Sequence, residues 1–317
     1  MIKHWRKLAA CLAIACLPAL AVAAAPPKNF IAPGARKIPG GRDVFIVVAQ
    51  SEIMPSITIS HIARNVGGGL LWAMIDVSVN DERAQNAENA IVQLREALTG
   101  FDFDSRVEAA TARTLTKLGW VEPKQVTLSK DVSKASMLAA LDAAGTDQLL
   151  VLVYTYGTDV DFSGIMVSLN ATLVNKAVPK GQKPKARLKP RNLAFFQGVR
   201  SMVRLGDHRD PAFNRAAWSA DGGEKARNAL ALGIERCQQL AERVFMLSAA
   251  EVASYTQRNH RPLSTVPDIG GWVVETLPSG QLIYDPTILT LTQVEPYGAM
   301  PTAAAPAESA PAAAPAQ

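Results

Sequence analysis

Apolar residues fall into short blocks separated by Gly, Pro and charged residues, and the spacing within each block predicts an element. Residues 44–48 (VFIVV) form a continuous, mostly β-branched run of strand length, which predicts a buried strand. Gly67-Gly68-Gly69 precedes Leu70, Leu71, Met74 and Ile75, and helical spacing resumes at Ala87, Ile91, Leu94 and Leu98. Asn80-Asp81 offers an internal cap, so residues 68–98 read as one helix or two, ended by Gly100. Asp104 is positioned to cap a further helix with the face Val107, Thr111, Leu115 and Leu118, closed by Gly119. Residues 124–128 read as a short strand. Ser133 starts a helix through Met137, Leu138 and Leu141 that stops at Gly145, and residues 149–154 read as a second buried strand.

Residues 165–175 alternate Ile165, Val167, Leu169, Ala171 and Leu173 with polar or neutral partners, the pattern of a half-exposed strand. Residues 193–205 are its expected antiparallel neighbour across a loop. Asp221 is the expected cap of a long amphipathic helix through Ala226, Leu230, Ile234, Cys237, Ala241 and Val244. Residues 272–276 and 281–284 flank Leu277-Pro278-Ser279-Gly280, which predicts a β-hairpin. The fold class expected is α/β (α+β): a mixed sheet with an antiparallel strand pair, helices packed on it, a C-terminal β-hairpin and a disordered tail.

The ends of the chain have a different character. Lys3, Arg6 and Lys7 precede an apolar stretch broken by Pro18, and Ala21-Val22-Ala23 supplies a small-x-small cleavage pattern. Residues 1–23 therefore read as a secretory signal peptide, and a periplasmic location follows as the expectation. Cys16 offers a lipidated, membrane-anchored alternative. Residues 24–42 read as an extended leader, 43–250 as the α/β domain and 251–298 as a C-terminal extension with the hairpin. Residues 299–317, nearly all Ala and Pro, read as a disordered tail, because Pro breaks the helix Ala favours and nothing large and apolar is present to bury.

Signal removal changes the charge argument. The whole chain has 33 basic and 28 acidic residues, and the signal holds three of the basic ones and no acid. The remaining near-neutral chain gives no global case for nucleic acid. Only Cys237 lies outside the signal, so no disulfide within the mature chain is expected.

The order of elements resembles a small α/β domain of Gram-negative envelope proteins. The residues that carry the likeness are 44–49 as first strand, Ala143-Ala144-Gly145-Thr146-Asp147-Gln148 leading into 149–153, and the pair 165–175 and 193–205 before the last helix. It resembles the N-terminal domain of the Tol-system periplasmic propeller protein, the lipoprotein activators of penicillin-binding proteins, and the curli secretion lipoprotein domain. The resemblance spans residues 43–250, rests on element order alone, and implies a non-catalytic module that binds other envelope proteins.

The residues with candidate chemistry are mostly basic. Lys176, Lys180, Lys183, Lys185, Arg187, Lys189, Arg191, Arg200 and Arg204 follow one another without an acid until Asp207. This pattern suits a finger for anionic lipid, lipopolysaccharide or an acidic partner face, but the reading favoured is a solvated loop that discourages strand aggregation. Asp102/Asp104 and Asp159/Asp161 are D-x-D pairs of the kind that can hold a divalent cation, although caps and turns account for both. Gly67-Gly68-Gly69 lacks the Lys-Ser/Thr pair of a phosphate loop. His61, His208 and His260 have no zinc spacing, and His208-Arg209-Asp210 lacks the rest of a kinase catalytic loop. Cys237, on the apolar face of its helix, reads as a buried, inert thiol. No catalytic, cofactor or metal residue is expected. The function expected is a non-enzymatic exported envelope protein that binds or scaffolds other envelope components. The alternatives are anionic lipid or lipopolysaccharide binding through residues 176–204, and a hydrolase or transferase using Asp159/Asp161. Expected partners are envelope proteins or an anionic lipid or glycan surface, with no nucleic acid and no transmembrane span after signal cleavage.

Overall fold

The structure is a computed structural model that describes residues 29–55, 88–189, 192–257, 259, 261–267 and 269–298. The segment read as an export signal, the Gly67-Gly68-Gly69 triplet, most of residues 68–98 expected to be helical, His61, Arg191, His260 and the Ala/Pro tail lie outside the described residues. The described elements run α1 (Pro33–Arg36), β1 (Arg42–Val48), β2 (Met54–Pro55), α2 (Val92–Ala97), α3 (Phe103–Leu118), β3 (Pro123–Ser129), α4 (Lys134–Ala143), β4 (Gln148–Thr158) and β5 (Gly164–Asn175). A 3-10 turn (Pro184–Leu188) precedes β6 (Phe195–Arg204), α5 (Pro211–Met246), α6 (Ala249–Thr256), β7 (Trp272–Leu277), β8 (Gly280–Asp285) and β9 (Thr290–Pro296).

One mixed sheet runs in the order β3-β1-β4-β5-β6-β9-β8-β7, with β2 also paired to β4. β1 is parallel to both β3 and β4, β5 is antiparallel to β4 and β6, and β9 is parallel to β6. The mixed α/β class expected from the element order is what the chain adopts. β4 sits at the centre, and all eleven of its residues are buried. Its side chains alternate between two cores. Leu150, Leu152, Tyr154 and Tyr156 face Val107 and Leu115 of α3 and Leu230 and Ile234 of α5. Leu149, Val151 and Val153 face Met137 and Leu141 of α4.

Three local expectations change. β5 is not half-exposed: only Ser168 and Asn170 are half-buried and only Asn175 is exposed. Its second face is covered because Val174 joins the α4 core and Met166 packs with Ile269 and Ile283. The α3 cap is Asp102, whose Oδ1 accepts from the Ser105 amide, while Asp104 lies in the first turn and pairs with Lys130. The long helix begins ten residues before Asp221, at Pro211, capped by Asp210. Trp218, fully buried and donating from Nε1 to the Phe162 carbonyl, pins that extra arm to the sheet. Asp221 instead marks a break in α5, where Asp221, Gly222 and Gly223 take φ of 53°, 64° and 77°. Left-handed backbone is costly for most residues, so the Asp-Gly-Gly sequence supplies what the break requires. Beyond it the expected face of Ala226, Leu230, Ile234, Cys237, Ala241 and Val244 is buried throughout.

β9 carries no clear alternation and is the strand that periodicity misses. It joins the β7–β8 hairpin to β6, so residues 251–298 enter the same sheet. Its Glu295 is fully buried and meets Arg236 of α5 through a fork, Nε to Oε1 at 2.7 Å and Nη2 to Oε2 at 3.2 Å. Replacing Arg236 with Met strands that carboxylate in the interior, and about 3–5 kcal/mol of stability should be lost. The drop in the urea midpoint measures it, and Arg236→Lys should lose less because a cation remains.

Candidate functional site

The basic segment leaves the sheet at Asn175 and returns at Phe195, with the Ala194 amide donating to the Leu173 carbonyl to close the strand pair. Between these points the backbone folds on itself. The Gln182, Ala186, Lys189 and Asn192 amides donate to the carbonyls of Pro179, Lys183, Ala186 and Lys189. Pro184 opens the 3-10 turn with its φ already set.

Arg187 is not an exposed charge. Its side chain is 4% accessible and ties the loop together: Nε donates to the Pro184 carbonyl, Nη1 to the Lys176 carbonyl and Nη2 to Asp142 Oδ1 of α4 at 2.6 Å. Asp142 is well exposed, so the carbonyl bonds carry much of the anchoring. Leu188 enters the core of Met137, Leu141, Val174 and Phe196. Asn192 donates to the Ala186 carbonyl and to Gln182 Oε1. Lys176 donates from Nζ to the Ala144 carbonyl at the end of α4. On this base stand Lys180, Lys183, Lys185 and Lys189, all exposed, and none of the four has an ion pair among the described residues.

The nine basic residues are therefore not one patch. Arg200 lies mid-strand, paired in register with Ser168, to whose Oγ its Nε donates. Arg204 lies at the far end of β6, roughly 30 Å along the strand from the loop, where its Nη2 donates to Ser163 Oγ. Arg191 is outside the described residues.

The carboxylate pairs serve the backbone. Asp159, fully buried in the β4–β5 turn, accepts from Ser163 Oγ at 2.6 Å and from the Gly164 amide at 3.0 Å. Asp161 Oδ1 accepts from the Ser163 amide. Burial pushes the Asp159 carboxyl up to about 7, against the pull of its bonds to Ser163 and Gly164. The Ser163 bonds, with Arg204 nearby, outweigh partial burial at Asp161 and hold its carboxyl below the usual range. His208 sets Nδ1 against the Leu205 carbonyl. Among the described residues no three His, Cys, Asp or Glu side chains converge as a metal would require. Cys237 Sγ is buried, donates to the Val167 carbonyl, and is pushed up to about 12 by burial.

No protein-family model, curated protein or solved structure matches this chain. The role of Arg187 was not legible in the run of basic residues. Its distinguishing signal is its place three residues after Pro184, next to Leu188, the largest apolar residue of the loop.

Arg187→Ala should free the loop without unfolding the sheet. Losing three bonds from a charged donor costs about 1.5–3 kcal/mol each at most when buried, less where Asp142 is solvated. Trypsin should then cut between residues 176 and 192 several-fold faster than in the wild-type chain, read by mass spectrometry of the first fragments.

Proposed function

We propose that the chain is a non-enzymatic, exported envelope protein, a binding module that seats on an anionic, phosphate-bearing surface of the cell envelope through the loop of residues 176–192. The observation that carries this reading is the division of labour within the loop. Arg187 and Leu188 turn inward and fix its shape, while Lys180, Lys183, Lys185 and Lys189 face solvent without carboxylate partners. A solvated spacer needs no buried anchor, whereas a docking surface gains from holding its charges in place before contact. The export signal and the element order that likens residues 43–250 to envelope domains point the same way. Among the described residues no helix is long and apolar enough to cross a membrane, so a peripheral contact is the kind of attachment this part of the chain supports.

Co-sedimentation with phosphatidylglycerol-containing vesicles tests the proposal. Each lysine near an anionic surface is worth ~1 kcal/mol, so each Lys→Ala change among the four should weaken binding about five-fold. Raising ionic strength should weaken it further as the Debye length shrinks. Equal binding to neutral phosphatidylcholine vesicles, or no loss in the fourfold alanine variant, would sink the idea.

A further inference from the structure

α4 covers the sheet unevenly. Met137 and Leu141 fill the core over Leu149 and Val151. The flank that leans toward the sheet edge carries only Ser136, Ala139 and Ala143. Side chains this short do not fill the space down to Gln125 and Thr127 of β3, which stay exposed. A cleft of about 370 Å³ results, floored by Phe45 of β1 and Leu149 of β4. That size falls within the range of small-molecule sites. The cleft opens between β3, the end strand of the sheet, and Ala139 and Ala143, both exposed.

The inner end of the cleft carries a charge. Side chains alternate along β1, so Asp43 shares the α4 face with Phe45. Asp43 lines the cleft and is 6% accessible. Its Oδ2 accepts from the Gly145 amide at 2.6 Å, just past the end of α4, and its own amide donates to Thr146 Oγ1 at 3.0 Å. These bonds hold the carboxylate in place. Among the described residues Oδ1 takes no hydrogen bond and no cation pairs with the group. A carboxylate shielded from water and without a cation is costly. The C-terminal pole of α4 adds partial negative charge beside it. Lys176 shows what this pole accepts. Its Nζ donates to the Ala144 carbonyl, and it comes from the end of β5, two strands away from β1.

We propose that the cleft between α4, β1 and β3 is a binding site for a small aliphatic primary ammonium. The ammonium sits on Asp43 Oδ1, and its carbon chain lies along Phe45, Leu149, Ala139 and Ala143. The carboxylate and the helix end repel an anion, and a neutral alkyl chain leaves the charge unmatched. A metal ion needs several oxygen ligands, and no three acidic, His or Cys side chains converge among the described residues. An ammonium needs one carboxylate and brings three donors of its own. Gln125, Thr127 and Ser136 line the outer part, so a hydroxyl or second amine at the far end of the chain also finds partners there. The site lies on the opposite flank of α4 from the lysine loop, whose Leu188 packs with Val174 and Phe196. It does not depend on what that loop binds.

Titration of the isotope-labelled full chain with n-butylammonium chloride, followed by amide chemical shifts, tests the site. The Asp43, Gln125, Thr127 and Gly145 amides should move together and saturate. n-Butanol and sodium butyrate share the chain but lack the cation, and both should bind at least about ten-fold more weakly. Shortening the ligand to methylammonium should weaken binding by about four-fold for each methylene lost from the cleft. Asp43→Asn keeps the shape and removes the charge, and should bring butylammonium down to the level of butanol. Ala139→Leu combined with Ala143→Leu fills the cleft and should abolish the saturable shifts. That variant leaves the Asp43–Gly145 bond intact and keeps the test open if Asp43→Asn does not fold. Equal binding of butanol or butyrate, the same shifts from magnesium chloride, or unchanged butylammonium binding in the filled variant would each overturn the assignment.

Discussion

The fold depends on β4, a strand of eleven consecutive buried residues that must be covered on both faces. A strand with one wet face could stand with a single layer of helices, but this one cannot. On one side α3 and α5 lie over it, and on the other α4 does. β1 and β5 satisfy its backbone on either edge. The buried surface on both faces explains why strands separated by a hundred residues in sequence end up in one sheet.

Polar groups inside this structure act as ties between layers. Tyr154 reaches out of β4 to Thr111 Oγ1 on α3 at 2.8 Å and receives Gln238 Nε2 of α5 at 2.5 Å, so three elements share one buried network. Burial pushes the Tyr154 hydroxyl well above its ordinary range, so it stays neutral. Arg42, at the start of β1, lies over the Trp120 ring and gives its guanidinium to the carbonyls of Ala35 and Trp120 and to Gln148. It anchors the leader against the loop after α3. The Arg236–Glu295 fork does the same for β9. A buried polar group left unmatched is costly, so each of these ties also fixes which elements meet.

The basic run is divided between the two ends of β6. At the Phe195 end the loop turns Arg187 inward and four lysines outward. At the Arg204 end the last cation of the basic run supports the turn that seats α5. The strand between them separates residues that are neighbours in the charge pattern. The lysine-bearing loop and the Asp159–Ser163 turn are thus separated by the length of β6.

Periodicity and punctuation alone determined most elements. The β1 and β4 runs, the β5–β6 pair, the α4 cap at Ser133, the Gly119 stop and the apolar face of α5 are local patterns, and local backbone preferences decide them. The mixed α/β class followed from their order. What the tertiary structure decided were matters of company. β5 looked half-exposed because its own alternation cannot show that Ile269 and the α4 core cover its second face. The first arm of α5 exists because Trp218 finds the Phe162 carbonyl, a contact between residues 56 apart. β9 is a strand because β6 and β8 offer it edges. Arg187 and its lysine neighbours are equivalent in a sequence. They part only when a carboxylate on α4 and two carbonyls of the loop's own backbone converge on one guanidinium. Local sequence sets which conformations are cheap, and burial and pairing across the fold set which side chains become core, tie or surface.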